Sequence, residues 1–253
     1  MADEGILRLF GFQPLGSGAE LDAALRDEVL PGFLAASTIL DAYVARNGTG
    51  VAGERVIASM WESRDAMAAE LGEASVIGRF QPERVEELTS CRLDILPLVF
   101  SVRHDREEPP IILRVYRGLV RPGELDAYIE EARDGTLLDA STNEGLVALY
   151  LGTEPPSRFI TVSAWTDWES IARATGGNVR QPMATRNAAR IAEGTATHYE
   201  ILPATERPPA RAAMGRRRLR SYASRRVSRR PGPAPRHRRG TLARPCPCQW
   251  PQS

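Results

Sequence analysis

The sequence predicts an α+β fold made of two tandem ferredoxin-like β-α-β-β-α-β units, packed sheet to sheet and followed by a disordered basic tail. Three observations predict it. Residues 20–73 recur 104 positions later, both copies carry the same order of strand and helix patterns, and the final 47 residues differ sharply in composition from the rest. The domain boundaries that follow are 1–103 for the first unit, 104–110 for a linker, 111–204 for the second unit and 205–253 for the tail.

The repeat consists of short motifs that return at a constant spacing. At an offset of 104 the pairs are Glu20–Ala23 with Glu124–Ala127, Ala36–Thr38 with Ala140–Thr142, and Ser59-x-Trp61 with Ser163-x-Trp165; at an offset of 106 they are Ile6–Arg8 with Ile112–Arg114 and Asp94–Pro97 with Glu200–Pro203. Self-similarity at a fixed period is the signature of a repeated structural unit. The chain is therefore interpreted as a tandem duplication.

Each copy has the same succession of elements. The predicted strands are Ile6–Phe12, Thr38–Arg46, Glu54–Trp61 and Cys91–Val99 in copy one, and Ile111–Val120, Gly145–Leu151, Arg158–Trp165 and Thr197–Leu202 in copy two. One helix is expected after the first strand and another after the third. A Gln-Pro pair, Gln81-Pro82 or Gln181-Pro182, opens a third helical piece.

Residues at the predicted helix starts indicate how each helix is capped. Ser17 and Glu20 form a capping box in copy one, whereas Pro122 occupies the expected first helical position in copy two. Ser63 and Asp167 are the expected N-caps of the second helices. Apolar side chains then recur at helical spacing, which predicts one face packed on the sheet.

Charge divides the chain into two unlike parts. Residues 1–206 hold 19 arginines and all 32 acidic residues, a net charge of −13, whereas 207–253 holds 14 arginines and no acid, and the chain contains no lysine. The tail is also rich in Pro, Ala and Gly and lacks apolar periodicity, so we expect it to be disordered. Three interpretations remain open: a nucleic-acid-binding arm, a solvated tail without function, and a reading-frame artefact. The last two are favoured because few aromatic residues interleave the arginines.

Other global features exclude several classes of protein. No apolar run approaches the length of a membrane span, and the acidic N-terminus lacks the basic region of a secretory signal. Cys91 is the only cysteine before the tail, so no disulfide framework is expected. These features predict a cytoplasmic protein with no membrane partner.

The Ser-x-Trp motif that ends the third strand and runs into a capped helix carries a family resemblance. Ser59-Met-Trp61-Glu-Ser-Arg-Asp-Ala and Ser163-Ala-Trp165-Thr-Asp-Trp-Glu-Ser resemble antibiotic-biosynthesis-monooxygenase-like domains of the dimeric α/β barrel superfamily. The resemblance covers roughly 1–203, twice. It implies an intramolecular dimeric barrel, either as a monomeric pseudo-dimer or in a further homo-oligomer.

The resemblance also implies a function class. It indicates a cofactor-independent monooxygenase acting on a small aromatic or polyketide-type molecule, without metal or flavin. The histidine typical of haem-degrading members has no counterpart near Gly72 or Gly176, so no haem is expected. The alternative is a non-catalytic small-ligand-binding or assembly module of the same fold.

Candidate site residues are sought between the sheet and its helices, where this fold forms its pocket. His198 is the candidate general base and Arg114 the candidate cation for an enolate or phenolate. The candidate substrate-binding residues are Trp165, Trp168, Tyr116, Tyr150 and Asn178. Most of them are specific to copy two, so that copy is expected to hold the pocket.

Structural alternatives accompany these assignments. Trp61 and Trp165 occur in both copies, which favours core positions for both. Arg8 matches Arg114, so a shared structural ion pair is equally compatible with the pattern. His198 on a strand is more often an exposed residue without a role than a base. Arg92 is its expected counterpart in copy one.

Overall fold

The computed structural model describes residues 5–15, 18–47, 53–72, 88–136 and 143–203. Three predictions lie outside these ranges: the Ser17 half of the capping box, the third helical piece at Gln81-Pro82, and the tail from 207 onward. In the described ranges, no helix has both the length and the apolar character needed to cross a bilayer.

The first half of the chain follows the predicted order. Its elements are β1 (Ile6–Pro14), α1 (Ala19–Ala24), a π-helical segment (Leu25–Val29), α2 (Leu30–Ala35), β2 (Ile39–Arg46), β3 (Arg55–Trp61), α3 (Arg64–Leu71) and β4 (Leu88–Arg103). The α1, π-helical and α2 segments are continuous in sequence. They place the buried side chains of Leu21, Leu25 and Phe33 against the outer face of the sheet.

The second half repeats this order. Its elements are β5 (Ile112–Val120), α4 (Leu125–Glu131), a π-helical segment (Ala132–Thr136), β6 (Leu146–Glu154), β7 (Arg158–Trp165), α5 (Trp168–Ala174), a 3-10 segment (Arg186–Arg190) and β8 (Ile191–Ile201). The 3-10 segment follows Gln181-Pro182, where a third helical piece is predicted. β8 begins six residues before its predicted start.

Local capping chemistry explains where the second helix of each copy begins. The Ser63 hydroxyl accepts a hydrogen bond from the Ala66 amide at 3.0 Å, and the Asp167 carboxylate accepts one from the Ser170 amide at 2.6 Å. Both predicted N-caps are confirmed. The prediction for Pro122 is wrong, because Gly123 adopts a left-handed φ of 79° and α4 begins only after Glu124.

The eight strands close into one antiparallel barrel in the order β1-β3-β2-β8-β5-β7-β6-β4. Each half contributes four neighbouring strands, and the halves join where β2 meets β8 and where β4 meets β6. The inner faces of both four-stranded sheets form one core that includes Leu9, Met60, Leu113, Val162 and Tyr199. The predicted α+β fold is confirmed, and the sheets bury their inner faces against each other.

Strand pairing provides a direct test of the aligned positions. β1 and β5 pair with β3 and β7 in matching register, since Leu7 lies opposite Met60 and Leu113 opposite Ala164. These partners agree with the offsets of 106 and 104 residues.

The last strands do not agree with the sequence alignment. Arg8 pairs with Ile95, and Arg114 pairs with His198, so the offset between β4 and β8 is 103 residues rather than 106. Ile95, not Arg92, is therefore the counterpart of His198. A shift of three residues moves every side chain to the other face of a strand. The alignment by short motifs therefore paired residues of β4 and β8 that lie on opposite faces of their strands.

Candidate functional site

A groove follows the edge of β8 in the second half of the chain. β8 pairs with β5 over most of its length but reaches β2 only through Ala45 with Ile201 and Arg46 with Glu200. In the described residues no strand covers the opposite edge of Thr195–Tyr199. The groove has a volume of about 910 Å³, a size typical of small-molecule sites. Its walls include Asn47, Ile111, Trp168, Arg180, Thr197 and His198.

His198 and Trp168 meet at this groove. Their ring centroids lie 4.9 Å apart with the planes tilted by 49°. Trp168 begins α5 directly after the Asp167 cap and remains 51% exposed. The His198 Nε2 atom is buried and has no hydrogen-bond partner among the residues that the structure describes. The predicted base and one predicted aromatic wall therefore lie side by side.

The environment keeps the His198 imidazole neutral. The pKa of His198 is lowered to about 4, mainly by burial and to a smaller extent by the positive charges of Arg114 and Arg180. A neutral imidazole has one nitrogen that can accept a proton. An anion bound beside these guanidinium groups would offset their field and raise the pKa, which favours proton transfer to His198 from an acidic ligand.

Arg180 is a groove residue that sequence analysis did not select. It lies in the strap, defined as residues 178–185, which crosses from α5 to the 3-10 segment. The Arg180 carbonyl accepts from the Ala196 amide at 3.2 Å, and the Ala184 amide donates to the Ala174 carbonyl at 2.8 Å. Its sequence context is glycine-rich and predicts only a loop, so no local signal indicated that its side chain would line the groove.

Arg114 and Tyr116 lie in a second, smaller cavity rather than in the groove. This cavity has a volume of about 40 Å³ and is also lined by Tyr128, Thr161 and Asn187. The Arg114 guanidinium carbon lies 5.3 Å from the centre of the Tyr116 ring. Sequence analysis placed Arg114 and His198 in one site, whereas the structure places them in adjacent cavities on the same sheet face.

The strap is fastened by Arg114. Its guanidinium donates to the carbonyl oxygens of Val179, at 3.4 Å, and of Gln181. Arg114 is 1% exposed, and burial lowers its pKa to about 10. Within the described part of the chain it forms no ion pair, so the predicted shared ion pair with an acidic residue is not found for Arg114.

Trp165 and Asn178 lie away from both cavities. Trp165 is fully buried and its indole donates to the Ser163 hydroxyl at 2.8 Å, as Trp61 donates to Ser59 at 3.0 Å. This matching arrangement is the core placement that the repeat favours. Asn178 is exposed, and its side chain accepts from the Arg180 amide at 3.2 Å within a turn.

Tyr150 points into the barrel and contacts a buried carboxylate. Its hydroxyl donates to Asp41 at 2.6 Å, the Tyr43 hydroxyl donates to the same oxygen at 2.7 Å, and Arg103 lies 2.9 Å from it. Strand register makes Tyr43 the counterpart of Tyr150, because they face Ala58 and Val162. Tyr150 is thus shared between the copies, contrary to its assignment as specific to copy two.

The corresponding place in copy one is filled by ion pairs. Asp94 is 4% exposed and is surrounded by Arg92 at 3.2 Å, Arg117 at 3.4 Å and Arg158. By register, Arg92 and Asp94 correspond to Thr195 and Thr197, two much smaller groups that line the groove. Among the described residues, these positions are therefore occupied by ion pairs in copy one and line the groove in copy two.

Metal ligation has no obvious location in the described ranges. His, Cys, Asp and Glu side chains there form no cluster of three or more that could hold a metal ion.

Comparison with solved structures identifies the fold. A protein from Fusobacterium nucleatum, provisionally named a monooxygenase, superposes with a TM-score of 0.62 at 14% identity over 80% of this chain and 94% of that chain. A second, also provisionally named a monooxygenase, from Lactobacillus acidophilus, gives 0.60 at 9% identity over 79% and 95%. No protein-family model and no curated protein matches the sequence. The chain therefore shares the mixed α+β fold of these two structures.

Proposed function

We propose that the second half of this protein binds a small planar phenol or polyketide-type molecule in the β8 groove and oxidises it with dioxygen, without metal or flavin. The observation that supports it is the neutral imidazole of His198, whose buried Nε2 atom has no hydrogen-bond partner in the described residues, beside the exposed ring of Trp168. In the described part of copy one, the counterparts of Thr195 and Thr197 are the ion-paired Arg92 and Asp94, so the pair is expected to act once per chain.

Each groove residue has a defined role in this reaction. Trp168 stacks on the aromatic ring of the substrate, which fixes the ring next to His198. The imidazole accepts an acidic proton, and the resulting anion is held by Arg180. Arg114, behind the strap, adds positive potential without contacting the substrate in the groove. Tyr116 and Tyr150 have no direct role here because neither lines the groove.

The chemistry balances with dioxygen as the only co-reactant. For an anthrone, a ring CH₂ loses a proton to His198 and the carbanion forms a C–O bond with dioxygen. The resulting peroxide anion takes back the proton from His198 to give a hydroperoxide, which loses water and leaves a carbonyl group. One dioxygen is consumed and one water released for each anthrone converted to a quinone.

Oxygen uptake tests the proposal directly. Chelator-treated protein is mixed with a dihydroxyanthrone, and both dioxygen and quinone are followed. We expect equal consumption of dioxygen and anthrone above the spontaneous rate, and a fall of about 100-fold in kcat for His198→Gln, the usual effect of removing a general base. Arg64→Ala is the matched control, because Arg64 is the exposed counterpart of Trp168 in copy one. No uptake above background would reject the oxidation.

A second candidate function is non-catalytic binding of the same class of molecule. It is favoured by the low pKa of His198, which makes the imidazole a weak base in the empty groove. Binding would need Trp168 and Arg180 but not proton transfer. Quenching of tryptophan fluorescence by the anthrone under anaerobic conditions, together with no oxygen uptake in air, would support this alternative.

A further inference from the structure

We infer that the small cavity beside the strap is a binding site for one small anion of the size of formate or nitrite, distinct from the β8 groove. The cavity lies on the outer face of the sheet in copy two and is lined by Arg114, Tyr116, Tyr128, Thr161 and Asn187. It does not depend on whether a phenol binds in the groove, so each proposal can fail without the other.

Charge is the first argument for an anion. Arg114 is 1% exposed, and in the described residues its guanidinium has only neutral partners, the carbonyl oxygens of Val179 and Gln181 and the ring of Tyr116. Burying a guanidinium without a counter-charge costs free energy, because desolvation is only partly repaid by neutral acceptors. An anion in the cavity would supply the missing charge in a setting of low dielectric constant, where the attraction is strong.

Size limits the anion to a few atoms. A volume of about 40 Å³ holds about three water-sized groups, since each needs roughly 10–15 Å³ of this measure. Formate and nitrite fit this space, and a branched carboxylate or an aromatic ring does not. The remaining lining is largely apolar and includes Phe100, Leu149, Leu151 and Phe159.

Polar groups around the cavity suit an anion once it enters. The Tyr116 ring carries a hydroxyl group that can donate a hydrogen bond, and the hydroxyls of Tyr128 and Thr161 are hydrogen-bonded to each other. In copy one the counterpart of Tyr116 is Phe10, which lies 5.5 Å from the guanidinium carbon of Arg8. The repeat therefore keeps the arginine on an aromatic ring in both copies and adds the hydroxyl only in copy two.

Thermal unfolding of the full chain at constant ionic strength tests the site. Sodium formate and sodium pivalate are compared as probes, with sodium chloride making up the remaining salt. A ligand that binds only the folded state raises the unfolding temperature as its concentration passes its Kd. We expect formate to raise it saturably, and pivalate, which is too large for the cavity, to have no such effect.

Variants locate the effect. Arg114→Met removes the charge and should abolish the formate-dependent rise. Tyr116→Phe introduces the side chain that copy one already carries and should raise the apparent Kd for formate at least several-fold. If Arg114→Met does not fold, this variant alone tests whether formate binds in the cavity. Arg8→Lys is the control in copy one and should retain the rise. Equal responses to formate and pivalate, no response to formate, or a full response in Tyr116→Phe would overturn the inference.

Discussion

The indole of Trp168 lies against the imidazole of His198 in the β8 groove, with 4.9 Å between the ring centroids. Half of the Trp168 surface is exposed, so one part of the ring is available to stack on a ligand. Trp168→Ala should raise the Kd of a planar phenol about tenfold, which corresponds to ~1.4 kcal/mol. Anaerobic isothermal titration calorimetry checks this value, and Trp168→Phe should recover most of the affinity.

The depressed pKa of His198 makes stability depend on pH. The unfolded chain binds a proton at this residue below about pH 6.5, whereas the folded chain resists it down to about pH 4. The unfolded state therefore holds more protons in this window, and stability falls as pH is lowered through it. His198→Gln should flatten the dependence of the free energy of unfolding between pH 6.5 and 4, measured by urea titration. An identical slope in wild type and variant would show that His198 is not shielded.

Trp61 and Trp165 should behave as equivalent core residues. Each indole donates to a fully buried serine hydroxyl two residues earlier in its strand. Ser163→Ala should cost about 1–3 kcal/mol because it leaves a buried N–H group without an acceptor. Ser59→Ala should cost a similar amount. A loss of activity without a loss of stability in Ser163→Ala would instead indicate a role for Trp165 at the site.

Asp41 links the two halves inside the barrel. It accepts from Tyr43 of its own half and Tyr150 of the other, and burial together with the nearby carboxylate raises the pKa of both tyrosines. Asp41→Ala should lower the free energy of unfolding by about 3–5 kcal/mol, because it leaves Arg103 and two buried hydroxyl groups without their acceptor. Chemical denaturation of this variant and of the Tyr43→Phe, Tyr150→Phe double variant separates loss of the charge from loss of the hydroxyl groups.

The tail should be dispensable for folding and activity. Removing 207–253 deletes 14 arginines, so the truncated protein should bind heparin less tightly at low salt. We expect its unfolding temperature and oxygen uptake to equal those of the full chain. A lower unfolding temperature after truncation would contradict the proposed boundary near residue 204.

Local patterns in the sequence predicted local structure well. The caps at Ser63 and Asp167 were predictable because they depend on a side chain and an amide three residues away. The fold class was predictable for a similar reason, since the order of strands and helices repeats along the chain. The prediction that Pro122 is the first helical residue is wrong because the conformation of the neighbouring Gly123 determines where α4 begins.

The site was less predictable because it depends on contacts between distant segments. Sequence alignment matched His198 with Arg92, but strand register matches it with Ile95. Tyr150 has its main polar contact with Asp41, 109 residues away, and no sequence pattern indicates such a pair. Arg180 reaches the groove from a loop whose course is set by hydrogen bonds to β8 and α5. Trp168, which the sequence singles out because its counterpart Arg64 differs so strongly, lines the groove.

Whether the reaction takes place in the β8 groove is tested by the initial rate of oxygen uptake with a dihydroxyanthrone. The rate is measured on His198→Gln, Arg64→Ala and the unmodified protein. We expect His198→Gln to lose about 100-fold in kcat while it retains most of its affinity for the anthrone, and Arg64→Ala to keep the full rate. Equal rates in all three proteins, or a larger loss in Arg64→Ala, would contradict a reaction centred on the β8 groove.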